Sequence, residues 1–239
     1  MTTLVLLPGL GCDARIWADQ RPLFEGHAVR EAQLHAGCDS LPEAARALLD
    51  ELPGDLLLCG ASLGGMLALE VHAQAPQRVR GLALLGTSAR PDTPERTAMR
   101  VEGIRLMQAA LDGKPAGFAA LLQANLPFAM HGEALDDKPL VARFMTMLRE
   151  AGPAELIRQN RMSMTRRDHR STLARVRCPT LVLCGDDDQV TPPEHAQELA
   201  ANIAGAELRL IPRCGHMLTM EKPAAVNTAL QGWLAQLSS

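Results

Sequence analysis

Short apolar runs alternating with longer helix-like stretches predict an α/β protein, built on a mostly parallel sheet of about six strands with helices on both faces. Two observations carry the prediction. The runs at 4–7, 56–59, 82–85 and 181–184 are almost continuously apolar, as strands buried on both faces of a parallel sheet must be. Between successive runs lies enough chain for the crossover helix that parallel neighbours require.

The elements follow in order. Residues 4–7 form the first strand and stop at Pro8-Gly9. A helix is expected over 13–24 and a weaker strand over 27–34. Ser40 then offers a cap to a helix over 41–52, with Pro42 and Glu43 in its first turn. Strand 56–59 leads into a helix over 63–74, closed by Pro76, and strand 82–85 follows. After it the rhythm breaks: residues 87–172 read as helical and carry Met99, Met107, Met130, Met145, Met147, Met162 and Met164 of the eleven Met, with Phe118, Phe128 and Phe144 of the four Phe. Basic side chains outnumber acidic ones there, and the reverse holds elsewhere. Residues 87–172 are therefore expected to form a helical cap with a pliable apolar underside, inserted into a core made of 1–86 and 173–239. Packing of the insertion's own core explains the same Met and Phe equally well. Strand 181–184, a helix over 193–203, strand 207–211 ending at Pro212, and a helix over 224–237 complete the core.

Composition narrows the function. Aromatic residues make up 3% of the chain, from four Phe, two Trp and no Tyr, which leaves little material for stacking nucleic-acid bases. A net charge of −3 argues against a polyanionic partner, so no nucleic acid is expected and a small molecule is. No run reaches the ~18 apolar residues of a membrane span. Residues before Pro8 lack a basic segment and a long apolar one, so no signal peptide is read and the cytoplasm is the expected compartment. The six cysteines, Cys12, Cys38, Cys59, Cys178, Cys184 and Cys214, show no metal-ligand or redox spacing. Cys59 and Cys184 lie in apolar runs and read as small buried hydrophobes.

Chemistry concentrates in the loops after the strands. Gly60-Ala61-Ser62-Leu63-Gly64 sits between a strand and a helix, the setting in which a G-x-S-x-G turn holds a strained serine out for attack. Serine needs a base and an orienting acid. Gly185-Asp186-Asp187-Asp188 follows one later strand and Gly215-His216 follows the last, which gives the chain order serine, acid, histidine at one sheet edge. Pro8-Gly9-Leu10-Gly11 follows the first strand and suits an oxyanion loop, with the amides of Leu10 and Leu63 as donors. A dinucleotide fingerprint fails at Ala14, and no Gly-Lys-Ser/Thr follows to make a phosphate loop.

On these motifs the chain resembles the α/β-hydrolase superfamily over nearly its whole length, and looks most like its small cofactor-free esterases with a helical cap. The resemblance implies Ser62 as nucleophile and His216 as base, within Gly215-His216-x-x-x-x-Glu221-x-Pro223. It implies Asp188 as the acid, since Gly185, Asp188 and Pro192 match a Gly-x-x-Asp-x-x-x-Pro pattern. It implies a sheet ordered 4-3-5-6-7-8 with the first two strands of the full fold missing, and no metal or organic cofactor. Pro8 stands where members usually have His, and Ala61 where they often have His. The implied activity is hydrolysis of a small carboxylic ester through an acyl-enzyme. Lactone, thioester and carbon–carbon hydrolysis share the triad and stay open, as does a ligand receptor on the same scaffold. Oligomeric state is left open.

Other residues are weaker. Ser88 is a candidate substrate-binding residue or a plain turn residue, and Asp92 a fallback acid. His131 and His169 are expected to face solvent, with a substrate contact as the alternative, and His195 to be exposed in a first helical turn; Arg166, Arg167 and Arg170 are expected to line a solvated helix face, with attraction of an anionic substrate or partner as the alternative.

Overall fold

The computed structural model describes residues 2–33 and 37–237. Six strands, β1 (Thr2–Leu7), β2 (Ala28–Glu31), β3 (Asp55–Ala61), β4 (Val79–Leu85), β5 (Thr180–Gly185) and β6 (Glu207–Ile211), form one sheet in the order β2-β1-β3-β4-β5-β6. Every neighbouring pair is parallel. This is the strand order that the resemblance implied. Pairing sets Leu6 beside Cys59, Cys59 beside Ala83 and Ala83 beside Leu181.

The period-two alternation of strands sorts those apolar runs onto two faces. Leu4, Leu6, Leu57, Cys59, Ala83, Leu85, Leu181 and Leu183 share one core with Trp17 and with Val226, Leu230 and Trp233 of α9 (Pro223–Leu237). Val5, Leu7, Leu56, Leu58, Leu82, Leu84, Val182 and Cys184 share the other with α1 (Leu41–Glu51) and α2 (Leu63–Gln74). α2 is buried at every position from Leu63 to His72, so it is apolar all round rather than striped.

Four helices stand between β4 and β5: α3 (Pro94–Leu111), α4 (Ala116–Ala129), α5 (Gly132–Leu135) and α6 (Lys138–Met164). α6 breaks at Gly152 (φ 74°), immediately before Pro153. Met107, Met130, Met145, Met147 and Met162 are buried, so packing accounts for most of the methionines in this stretch. α7 (Pro193–Asn202) and α8 (Leu218–Glu221) follow β5 and β6.

Two expectations differ from the structure. The helix over 13–24 is instead a pair of 3-10 turns, Ala14–Trp17 and Arg21–Phe24. Asp13 caps the first, and Pro22, which has no N–H to donate and clashes with the preceding turn, prevents their fusion. The strand over 27–34 shrinks to Ala28–Glu31, an edge strand exposed at three of its four positions; Leu34 lies outside the described residues. Among the described residues no helix is long and apolar enough to cross a membrane.

Candidate active site

The carboxyl ends of β1, β3, β5 and β6 gather the loops that carry Leu10, Ser62, Asp188 and His216. Ser62 adopts φ 52° and ψ −115°, a conformation that strains a residue with a side chain. Its N–H donates to the Leu85 carbonyl at 2.8 Å, and the Thr87 hydroxyl donates to its carbonyl at 2.7 Å. These bonds from β4 and the following turn hold the strained peptide. Gly64 makes the elbow sterically feasible: a Cβ there would lie 2.1 Å from the Leu7 carbonyl oxygen, so only glycine lets α2 start this close to β1.

His216 Nε2 lies 2.9 Å from Ser62 Oγ, and its Nδ1 lies 2.8 Å from Asp188 Oδ2. The three expected side chains thus form one hydrogen-bonded chain across 154 residues of sequence. Asp188 is 2% exposed, whereas Asp186 and Asp187 face solvent, so burial singles out the carboxylate to which the spacing from Gly185 to Pro192 points. Asp188 Oδ1 accepts the N–H groups of Val190 and Thr191, each at 2.8 Å, and Oδ2 accepts the Thr191 hydroxyl at 2.9 Å. Burial by itself would raise this carboxyl; the His216 imidazole and the Thr191 donors outweigh it and hold Asp188 below the usual carboxylate value.

The loop after β1 approaches the serine, since a Cβ on Gly9 would lie 3.3 Å from Ser62 Cβ, and neither the Leu10 nor the Leu63 N–H is engaged by another described residue. Gly9 O accepts from Cys12 N–H at 3.1 Å, closing a tight turn with Leu10 and Gly11 at its centre. Burial pushes the thiols of Cys59 and Cys184 up, the latter to about 12, so neither competes as a thiolate.

Thr87, Thr191 and Glu221 escaped functional assignment from sequence. Thr191 had a signal, because an Asp two or three residues before free N–H groups folds back on them in an Asx turn. Glu221, inside the histidine motif, accepts from Gly215 N–H at 3.0 Å and Met217 N–H at 2.9 Å on either side of His216, and from His131 N–H at 2.9 Å at the start of α5. The Ala129 carbonyl, at the end of α4, accepts from the N–H groups of His216 at 3.1 Å and Met217 at 3.2 Å. The imidazole is therefore aimed by one carboxylate and one carbonyl. Replacing Glu221 with Gln puts an amide NH2 against an N–H donor, and we expect a loss of about 2 kcal/mol in stability with a clear fall in turnover; denaturant unfolding together with initial rates checks both.

The weaker candidates fall outside this chain of bonds. Ser88 is buried and its Oγ accepts from Arg90 N–H at 3.0 Å, the contact of a turn residue. Asp92 pairs with Arg100 at 2.8 Å and Arg166 at 2.5 Å, which occupies it elsewhere. Arg166 is thus buried rather than solvated; burial draws its guanidinium down to about 10, still charged at neutral pH. Arg167 and Arg170 are exposed as expected. His169, expected in solvent, is 6% exposed and lies 3.0 Å from the buried Glu70 carboxylate. His131 caps α5 by accepting Glu133 N–H at 3.1 Å, and His195 is half-buried.

Comparison with known proteins agrees with this fold. Residues 4–229 match the model of an alpha/beta hydrolase family. A pimeloyl-[acyl-carrier protein] methyl ester esterase of Aromatoleum aromaticum is 30% identical, over 92% of this chain and 93% of its own length. A dihydrolipoyllysine-residue acetyltransferase component of an acetoin cleaving system, from Pseudomonas putida, is 30% identical over 98% of this chain, which spans 63% of that protein. Among solved structures, a thermophilic esterase of Thermogutta terrifontis superposes with a TM-score of 0.84 at 26% identity, covering 100% of this chain and 91% of that one. Similarity of sequence and of strand order over nearly the full length admits one conclusion, that the chain belongs to the alpha/beta hydrolase family.

Proposed function

We propose that the protein is a serine hydrolase of small carboxylic esters that works through an acyl-enzyme on Ser62. The observation that carries this is the unbroken chain from Ser62 Oγ through His216 to Asp188. His216 Nε2 takes the hydroxyl proton as Oγ attacks the ester carbonyl, Asp188 keeps Nδ1 protonated, and the amides of Leu10 and Leu63 receive the oxyanion. The tetrahedral adduct expels the alcohol, which is protonated by His216, and water then enters by the same route to release the acid. A serine nucleophile supports acyl rather than alkyl transfer, and the esterase named among the relatives supports an ester.

In this proposal residues 87–172 act as a cap that selects the acyl group, and the protein works in the cytoplasm. A panel of p-nitrophenyl esters, lactones and thioesters graded by acyl length tests the reading. Short alkyl esters are expected to turn over in a Ser62-dependent manner, without a strong preference for aryl acyl groups, because aromatic side chains that could stack on such a group make up only 3% of the chain. No Ser62-dependent turnover anywhere on the panel would sink the hydrolase reading and favour a receptor. Faster lactone or thioester turnover would move the substrate class.

A further inference from the structure

From a side chain that lies in α6, remote in sequence from every motif, we infer that Gln159 is a positioning residue for the oxyanion loop. The inference rests on the acyl-enzyme reading above and adds a component to it.

Gly9, Leu10, Gly11 and Cys12 form a turn closed by the Cys12 N–H to Gly9 carbonyl bond of 3.1 Å. Gly11 has φ +70° and Leu10 is not among the residues with positive φ, which defines a type II turn. A type II turn differs from the commoner type I by a flip of its central peptide, the unit that holds the Leu10 carbonyl and the Gly11 N–H. That N–H donates to Gln159 Oε1 at 2.6 Å. Gln159 is 5% exposed, and its Nε2 donates to Glu155 Oε1 at 2.7 Å, which fixes which end of the amide faces the loop. Glu155 is held in turn by Arg158 Nε at 2.7 Å. The flip is therefore registered by a single buried acceptor.

Sterics reinforce the hydrogen bond. A Cβ on Gly11 would lie 2.5 Å from Leu148 Cδ2 and 2.8 Å from Leu156 Cδ2. Leu148 precedes the break in α6 at Gly152 and Leu156 follows it, so the bent helix grips the turn from two sides. The preceding peptide unit consists of the Gly9 carbonyl and the Leu10 N–H. A flip of the central peptide changes ψ of Leu10 and φ of Gly11 and leaves φ of Leu10 unchanged, so Gln159 acts by tying the turn to α6 through Gly11. Without that tie the turn is free to shift as a body and carry the Leu10 N–H away from the place where the oxyanion forms. A displacement of about 1 Å at such a donor is enough to cost orders of magnitude in rate. Gln159 touches neither substrate nor the reacting atoms; it acts through Gly11 and Leu10.

The test compares Gln159→Leu, which keeps volume and removes the acceptor, with the exchanged pair Glu155→Gln/Gln159→Glu, which restores an acceptor for Gly11 and a donor between the two side chains. Two readouts are taken on the full-length protein: steady-state kinetics on the best ester of the panel, and amide exchange of Gly11 by NMR. Gln159→Leu is expected to lose roughly 10- to 100-fold in kcat with KM changed less than about threefold, and to lose protection at Gly11. The exchanged pair is expected to regain most of both. Loss through general destabilisation would instead track the melting temperature and would not be reversed by the exchange. An unchanged kcat in Gln159→Leu, or a failure of the exchanged pair to restore it while Gly11 protection returns, overturns the positioning role alone. A wild-type protein without Ser62-dependent turnover overturns the hydrolase reading and this role with it.

Discussion

Ser62→Ala is expected to lower kcat by about 10⁵- to 10⁶-fold on any ester the wild type cleaves, because removing the nucleophile of a cooperating triad removes the whole covalent route. A fluorophosphonate should label the wild type stoichiometrically at Ser62 and leave the variant unlabelled by intact mass. Ser62→Gly adds a second, independent signature. Ser62 sits at φ 52° and ψ −115°, where a Cβ costs of order 1–3 kcal/mol, so the inactive Gly variant should be more stable than the inactive Ala variant. Equal unfolding midpoints for the two would mean the elbow stores no strain.

Asp188→Asn should cost about 10⁴ in kcat while leaving the fold in place. Asn Oδ1 can still accept from Val190 and Thr191, but Nδ2 would donate to His216 Nδ1. The proton then sits on Nε2, which becomes a donor to Ser62 and cannot take its proton. The same site predicts a pH effect. A carboxyl held below its unfolded value stabilises the fold above that value, about 3.9, and the contribution disappears as pH falls through the folded value. The stability gap between wild type and Asp188→Asn should therefore close below about pH 4. Asp92→Asn gives the contrast: it strips a carboxylate from buried Arg166, so stability falls by about 3–5 kcal/mol whereas kcat of the folded fraction holds. A kcat collapse in Asp92→Asn with little effect from Asp188→Asn would exchange their roles.

Much of this was legible before any coordinates. Parallel strands buried on both faces announce themselves as unbroken apolar runs, and β1, β3, β4 and β5 each contain the expected run with an added residue or more at the ends. The elbow was equally plain, because glycine at both flanks of a serine has few other uses between a strand and a helix. Legibility failed where the deciding partner is distant. Asp186, Asp187 and Asp188 are alike in residue type; the spacing to Gly185 and Pro192 points to the third by resemblance, and its burial comes only with the fold. Pro22 lies within the 13–24 stretch expected to be one helix, and its missing N–H helps to divide that stretch into two turns. His169 and Arg166 read as surface residues because their counter-charges, Glu70 and Asp92, lie 99 and 74 positions away. Gln159 gives no signal at all: its partner is a backbone N–H 148 residues upstream.

The double acceptance at the Ala129 carbonyl bears on protein engineering. Helical insertions of this kind are attractive modules to transplant between scaffolds in order to change specificity. In this molecule the end of α4 is also the hook on which the histidine loop hangs. A chimera that imports foreign helices between β4 and β5 would therefore lose the anchor of the His216 loop, unless the graft keeps Ala129, Met130 and His131 in register with Glu221.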